Sequence, residues 1–206
     1  MLLVKDLMLL NGRKISLTLE AGGEYVLRGK NGSGKTLLLR TLAGLYSGES
    51  SEFSLSGKEL VDYSPEEFRS KILYVSPATA MSPEMTAEKF LQAPHRLSVY
   101  QGWKSEFSSA NYLKEWGMSG MTLGHLSSGQ KQLLSLLRAL SLRADILLLD
   151  EPTSHMDQEK TLIAEKLLKE WKAQDPKRII LMVTHSDEQA QRFGKRINFE
   201  EITSAK

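Results

Sequence analysis

Residues 25–36 read YVLRGKNGSGKT, a short apolar run that leads into a glycine-rich loop. The loop from Gly29 to Thr36 matches the pattern G-x-x-x-x-G-K-[ST], and a helical pattern from Lys35 to Ala43 follows it. A strand, a loop of this pattern and a helix, in this order, form the context in which nucleoside phosphates are bound. This stretch therefore predicts an α/β fold with a nucleoside triphosphate as its ligand.

Each part of this phosphate loop has an expected role. Glycines let the backbone aim successive amide N–H groups at phosphate oxygens, and the following helix adds the positive end of its dipole. The Lys35 ammonium is expected to reach the β- and γ-phosphates, and the Thr36 hydroxyl to ligate magnesium. The residues assigned to the nucleotide on this basis are Gly29, Asn31, Gly32, Ser33, Gly34, Lys35 and Thr36.

The composition excludes several classes of protein. The 206 residues are 41% hydrophobic and 25% charged, which is typical of a globular protein and not of a disordered or membrane-embedded one. The net charge of +2 is too small to drive nucleic-acid binding by bulk charge, so no direct nucleic-acid partner is expected. The lack of cysteine excludes disulfides, cysteine–zinc sites and thiol nucleophiles. No stretch has the pattern of a signal peptide or the length of a bilayer span.

Short apolar runs alternate with helical patterns along the chain. Continuous apolar runs suit strands that are covered on both faces, as in a mainly parallel sheet. The predicted strands are Tyr25–Arg28, Ile72–Ser76, Ile146–Asp150 and Ile179–His185. The predicted helices are Lys35–Ala43, Gln130–Leu142 and Gln158–Trp171. Strands and helices in this order indicate an α/β fold.

Two regions break this alternation. Residues 1–25 and 46–60 combine polar alternation with turn sequences, which predicts an N-terminal antiparallel β subdomain. Residues 77–125 contain no strand run and indicate an inserted α-helical subdomain. The expected division is a single domain whose nucleotide-binding core comprises approximately residues 1–76 and 141–206, with a helical subdomain at approximately 77–140.

Residues 146–151 read ILLLDE, a buried-strand pattern that ends in two acids about 110 residues after the phosphate loop. Ligands of open α/β sheets bind at the carboxyl edge of the strands, so both acids are expected near the phosphates. Asp150 suits magnesium, through the metal's water shell, and Glu151 suits a water nucleophile as a general base or orienting group. The loop and the acids together predict a P-loop NTPase.

The segment LSSGQ, residues 126–130, precedes a leucine-rich helical pattern. Here the sequence resembles the ATPase subunits of ATP-binding cassette (ABC) systems, whose signature motif is LSGGQ; Ser128 stands where glycine is usual. The motifs follow the family's order along nearly the whole chain. The physical chemistry of the segment agrees, because Ser127, Ser128 and the Gly129 amide at the opening of a helix make an anion site.

The resemblance implies a partner copy and further site residues. In the family, two cassettes pack head to tail, so that each ATP lies between the phosphate loop of one subunit and the signature of the other. Asp157, in the segment SHMD, is then expected to communicate across the dimer, and His185, in VTHS, to contact the γ-phosphate. With ATP and Mg²⁺ as cofactors, the assignments are Lys35, Glu151 and His185 for catalysis, Thr36 and Asp150 for the metal, and Ser127, Ser128, Gly129, Gln130 and Asp157 for further nucleotide contacts.

The sequence departs from the family pattern at two places. The family usually has glutamine in the loop after the second core strand, where it reaches magnesium; Pro77 occupies this position and has no side-chain amide. The family also stacks an aromatic residue on adenine from the N-terminal strands. The corresponding segment here is Leu7–Leu10, so an aliphatic contact with the base is expected.

Three functions follow from these observations. The first is the ATP-hydrolysing energy subunit of an ABC transporter, cytoplasmic and peripheral on the cytoplasmic face of the membrane, with a separate membrane-spanning permease subunit as partner. The second is a soluble ABC ATPase that drives assembly or remodelling of a non-membrane partner. The third is a non-catalytic regulatory cassette, which Pro77 motivates and the intact Glu151 argues against. A single cassette without a span favours the first.

Overall fold

The predicted strands and helices occur along the chain in the order that the apolar runs predict. The computed structural model describes residues 1–77, 81–101, 103, 105, 107 and 109–204. The strands are β1 (Leu2–Met8), β2 (Lys14–Leu19), β3 (Glu24–Arg28), β4 (Glu52–Leu55), β5 (Lys58–Glu59), β6 (Ile72–Val75), β7 (Ile146–Asp150), β8 (Ile179–Val183), β9 (Lys195–Asn198) and β10 (Thr203–Ser204). The α-helices are α1 (Lys35–Leu42), α2 (Pro65–Lys71), α3 (Ala87–Gln92), α4 (Ser109–Glu115), α5 (Ser128–Leu140), α6 (Gln158–Gln174) and α7 (Asp187–Arg192).

The predicted apolar strands lie together in one sheet. Its order is β6-β7-β8-β3-β9, and the pairs β7–β8, β8–β3 and β3–β9 are parallel. Every residue of β7 and β8 is buried, which explains their unbroken apolar sequences, since a strand covered on both faces needs no polar alternation. The prediction of a mainly parallel sheet is confirmed.

The N-terminal strands form a second, antiparallel sheet of order β10-β2-β1-β4-β5. In β2 exposed and buried residues alternate, with Ile15, Leu17 and Leu19 turned inward. This is the pattern of a sheet with one face packed and one face solvated. The predicted antiparallel β subdomain is therefore present.

Helix α1 belongs to the same hydrophobic core as the strands. Leu38 and Leu39 are fully buried and join one cluster with residues of both sheets, among them Leu2 and Leu148. The helix ends at Leu42, one residue before the predicted end at Ala43, and Gly44, which follows the cap residue Ala43, has φ +67°. The Leu45 N–H donates to the Arg40 carbonyl at 2.9 Å and the Gly44 N–H donates to the Thr41 carbonyl at 3.0 Å, the two bonds of a Schellman C-cap.

The chain divides into two compact units, one made of Met1–Tyr74, Asp145–Glu151 and Asp175–Lys206, the other of Val75–Ala144 and Pro152–Gln174. We call them the core unit and the helical unit. The described part of residues 81–125 holds helices and 3-10 turns in place of strands, in agreement with the predicted helical insert. None of the described helices combines the length and apolar character that a membrane crossing needs.

One segment groups differently from the expected division. The sequence predicts residues 152–174 as part of the nucleotide-binding core, whereas α6 packs against α5 in the helical unit. Leu167, Leu168 and Trp171 are buried along this helix, as its apolar pattern predicts. Leu162, another apolar residue of this helix, is 53% exposed. The apolar pattern identified the helix but not the partner on which it packs.

Candidate nucleotide site

Three neighbouring parallel strands bring the predicted catalytic segments to one edge of the sheet. The phosphate loop follows β3, the acid pair ends β7, and His185 lies two residues after β8. Asp150 pairs with Val183 in the register of β7 and β8, so both strands end at the same level. This is the carboxyl edge, where open α/β sheets bind ligands.

The phosphate loop holds its lysine in place with its own backbone. The Lys35 Nζ donates to the carbonyl oxygens of Gly29 at 2.8 Å and Lys30 at 2.9 Å, and the residue is only 7% exposed. An ammonium group has three donors, so one remains for a phosphate oxygen. The Ser33 hydroxyl is also buried and has no hydrogen-bond partner within the described residues. Gly34, at φ +111°, precedes α1 and turns the chain into the helix.

Asp150 is hydrogen-bonded through both of its carboxylate oxygens, one of them to Thr36 of the phosphate loop. The Thr36 hydroxyl donates to Oδ1 at 3.2 Å, and the Tyr74 hydroxyl donates to Oδ2 at 2.8 Å; Asp150 itself is 2% exposed. A hydroxyl and a carboxylate are hard oxygen donors of the kind that magnesium takes, usually together with substrate phosphates and water. The described residues contain no group of three or more acidic, histidine or cysteine side chains that could hold a metal without such help. The residues therefore fit a magnesium–nucleotide complex.

Glu151 adopts a backbone conformation that is rare for residues other than glycine, with φ +47°. Its N–H donates to the Val183 carbonyl at 2.9 Å, which holds this turn against the end of β8. The Glu151 Oε1 lies 3.1 Å from the Nε2 of His185. Left-handed residues of this kind concentrate at functional sites, where the strained turn aims a side chain.

His185 is positioned by the end of β3. The Arg28 Nη1 donates to the Thr184 carbonyl at 2.9 Å, and Arg28 also forms an ion pair with Asp187 at 2.5 Å. Ser186 then caps α7 by accepting a hydrogen bond from the Gln189 N–H at 3.2 Å. The backbone on either side of His185 is thus anchored, while its imidazole is half exposed.

A cavity of about 600 Å³ is lined by most of the site residues that were predicted in the core unit. Its volume suits a small-molecule ligand. The predicted residues that line it are Asn31, Gly32, Gly34, Lys35, Thr36, Glu151 and His185. Its other lining residues are Asn11, Leu37, Arg40, Tyr46 and Val183, which sequence reasoning did not assign to the site. From the N-terminal hairpin, Asn11 lines the cavity, whereas none of the residues Leu7–Leu10 does. Leu7 and Leu9 are buried in the core, and Leu10 is 65% exposed.

The signature segment belongs to the helical unit and opens α5. The Ser127 hydroxyl accepts a hydrogen bond from the Gln130 N–H at 3.2 Å, and the Gln130 side chain accepts one from the Ser127 N–H at 2.9 Å. These two bonds form a capping box, so both side chains stabilise the helix start. Ser128 is exposed. Gly129 is buried, and a Cβ there would lie 2.7 Å from the His155 carbonyl oxygen, which excludes any larger residue without a backbone shift.

The segment with Asp157 is joined to the signature helix by Gln132, a buried residue that the sequence reasoning did not select. The His155 N–H donates to the Gln132 Oε1 at 3.0 Å, and the Gln132 Nε2 donates to the Ser154 hydroxyl at 3.3 Å. Asp157 accepts the Lys160 N–H at 2.9 Å and pairs with the Lys160 ammonium. The hydrogen bond from this ammonium, followed by the one from the backbone, lowers the pKa of Asp157.

Comparison with known proteins assigns the family. The family model described as ABC transporter matches residues 13–154, which is more than half of the chain. The chain belongs to the ABC transporter ATPase family. This cassette is 34% identical over 188 residues to a Brucella suis protein named as an ABC transporter ATP-binding protein, with 89% of the cassette and 76% of the relative aligned. It is also 34% identical over 160 residues to the cytochrome c biogenesis ATP-binding export protein CcmA of Colwellia psychrerythraea, covering 75% and 69% of the two chains.

Solved structures confirm the fold class of the cassette. A dimeric structure of the ATP-binding cassette MJ0796 in a post-hydrolysis state, bound to ADP and Pi, superposes with a TM-score of 0.78. The alignment covers 96% of this cassette and 94% of that chain at 24% identity, so the likeness concerns the fold.

Proposed function

We propose that this cassette binds and hydrolyses ATP, with magnesium, as the energy subunit of an ABC transporter. One observation carries the proposal: residues of the phosphate loop line one cavity together with Glu151 and His185, and Thr36 of that loop is hydrogen-bonded to Asp150. Phosphoryl transfer needs these parts, since it depends on positioning the phosphates and on stabilising the charge that develops on them.

Each site residue has a proposed role in hydrolysis that follows from the chemistry of its side chain. Lys35 supplies a fixed positive charge and one free N–H for the terminal phosphates. Thr36 and Asp150 would hold magnesium, which, when bound with the nucleotide, neutralises phosphate charge. Glu151 accepts a proton from the attacking water, or orients it, and His185 lies close enough to restrain the Glu151 carboxylate while contacting the γ-phosphate.

The second half of the site is proposed to come from another copy of the chain. The capping box leaves the exposed Ser128 and the amide end of α5 free to meet an anion, and the helix dipole favours a negative charge there. The resemblance and the dimeric relative support a head-to-tail pair in which this helix end faces the ATP held by the partner's phosphate loop. ATP would then bind more tightly to the paired state, so binding favours the dimer and hydrolysis releases it.

We further propose that the dimer acts on the cytoplasmic face of a membrane, docked on a separate membrane-spanning permease. The support is that two relatives are named as an ABC transporter ATP-binding protein and as an ATP-binding export protein. Direct nucleic-acid binding forms no part of the proposal, given the net charge of +2.

Affinity purification from detergent-solubilised membranes tests this partner. We expect the tagged cassette to recover a protein with several membrane spans in a fixed ratio, and the purified complex to hydrolyse ATP faster than the cassette alone. The same purification with the tag alone is the control. Recovery with soluble proteins only would overturn the transporter assignment and favour the soluble ABC ATPase that drives assembly of another partner.

A further inference from the structure

A continuous chain of hydrogen bonds runs from the rim of the nucleotide cavity to Asp150. The Arg40 Nη1 donates to the Tyr46 hydroxyl oxygen at 3.3 Å, and the Arg40 Nε donates to the Tyr74 hydroxyl oxygen at 3.2 Å. The Tyr74 hydroxyl in turn donates to the Asp150 Oδ2 at 2.8 Å. The Arg40 guanidinium also lies 5.7 Å from the centre of the Tyr74 ring. All four residues belong to the core unit.

The direction of the two hydrogen bonds at Tyr74 is fixed by the chemistry of its two partners, Arg40 and Asp150. A guanidinium has only donors, and an ionised carboxylate has only acceptors. The Tyr74 oxygen therefore accepts from Arg40, and its single hydrogen points to Asp150. A hydroxyl that accepts from a cation is polarised and donates more strongly, so the two bonds reinforce each other.

The surroundings of Tyr74 restrain its ring and raise the pKa of its phenol. It is half-buried, and burial is the main cause that raises the pKa of its phenol, with the hydrogen bond to Asp150 acting in the same direction and the one from Arg40 opposing it. Its ring packs against the hydrophobic core, which restrains where the hydroxyl can lie.

We propose that Tyr74 is a positioning residue for the metal-side carboxylate: its hydroxyl fixes the Asp150 Oδ2 while Thr36 contacts Oδ1, which sets the angle at which Asp150 faces the magnesium–nucleotide complex. The inference rests on the proposed ATPase function. Tyr74 is not proposed to touch the nucleotide or the metal and acts only through Asp150. Groups that orient a metal-binding carboxylate typically change metal affinity by about ten- to a hundredfold when removed.

Tyr74→Phe removes the hydroxyl and keeps the ring, so the fold should be retained. We expect the affinity for Mn²⁺, measured by electron paramagnetic resonance in the presence of a non-hydrolysable ATP analogue, to fall about tenfold. Binding of the analogue in EDTA should match the wild type. Phosphate release should be low at limiting Mg²⁺ and recover towards the wild-type rate at saturating Mg²⁺, which separates metal affinity from turnover.

Tyr63→Phe is the matched control. The Tyr63 hydroxyl donates to the Leu55 carbonyl at 3.0 Å, so the same chemical deletion removes a hydrogen bond of the core unit that does not reach Asp150. We expect this variant to bind Mn²⁺ as the wild type does. If the wild-type protein hydrolyses ATP and Tyr74→Phe binds Mn²⁺ with the same affinity as the wild type, the positioning role is overturned and the proposed function stands. A wild type that binds neither Mn²⁺ with the analogue nor the analogue alone would overturn both.

Discussion

Glu151→Gln should lower the rate of phosphate release by about a hundredfold or more, which is the contribution that a positioned general base makes. The substitution keeps the size and the hydrogen-bonding reach of the side chain but removes the negative charge that accepts a proton from water. Because Glu151 contacts His185 and the phosphate loop is untouched, ATP affinity should remain close to that of the wild type.

The same variant should accumulate the ATP-bound dimer. If hydrolysis is what releases the paired cassettes, a variant that binds but does not hydrolyse ATP stays paired. We expect Glu151→Gln with ATP and Mg²⁺ to elute as a dimer on size exclusion, and the wild type to return to monomer as ATP is consumed.

Glu188→Gln is the control for charge removal in the same unit. The Glu188 side chain is 84% exposed on α7 and pairs only loosely with Arg192, at 3.8 Å. Its turnover should match the wild type. Equal, background-level rates in the wild type and in Glu151→Gln would contradict the enzyme assignment and favour the regulatory cassette that Pro77 motivated.

Lys35→Ala should weaken ATP binding by about ten- to a hundredfold, since a hydrogen bond to a charged group contributes about 1.5–3 kcal/mol. The buried ammonium is held by the Gly29 and Lys30 carbonyls with one donor free, so it is the loop's fixed positive charge. The measurement is a titration with a fluorescent ATP analogue, and thermal unfolding of the free protein checks that the loop carbonyls tolerate the loss of their partner.

Lys30→Ala provides the matched control within the same loop. Lys30 is exposed, and only its backbone carbonyl contacts Lys35. Lys30→Ala removes one positive charge from the same loop, as Lys35→Ala does. It leaves in place the Lys35 ammonium that the Gly29 and Lys30 carbonyls hold. We expect its ATP affinity to stay near the wild-type value, whereas an equal loss in both variants would mean that general charge, and not the geometry of Lys35, attracts the nucleotide.

The strands and helices that could be predicted from the sequence are those whose residues are mostly buried, because burial leaves a run of apolar residues. The residues ILLLD of β7 are buried on both faces, so their apolar run could belong only to a covered element. Edge strand β9, with the sequence KRIN, has a single buried residue, Ile197, and carries no apolar run to detect. Helix α2, with the sequence PEEFRSK, is short and buries only Phe68. Its N-terminal Ser64–Pro65 was the available signal, because serine caps and proline opens helices.

In the candidate site, too, some residues could be predicted from the sequence and others could not. Lys35, Thr36 and Asp150 were assigned because short motifs carry their chemistry, and they lie together in the structure. Tyr74 and Arg40 were missed because their roles depend on pairing across elements that lie far apart in the sequence. The weak signals were a hydroxyl inside an otherwise apolar strand, and a cation one helical turn after Thr36, on the same face of α1.

A complementation experiment tests most directly whether the active site is shared between two copies. Lys35→Ala damages the phosphate loop, and Ser128→Glu places a negative charge at the exposed start of α5, where it suits the helix dipole but repels phosphate. Each variant alone has two damaged sites per dimer, whereas a mixed dimer has one site in which both halves are intact. A shared site predicts that mixing the two inactive variants restores phosphate release well above the sum of the separate rates. A mixture no more active than that sum would contradict it.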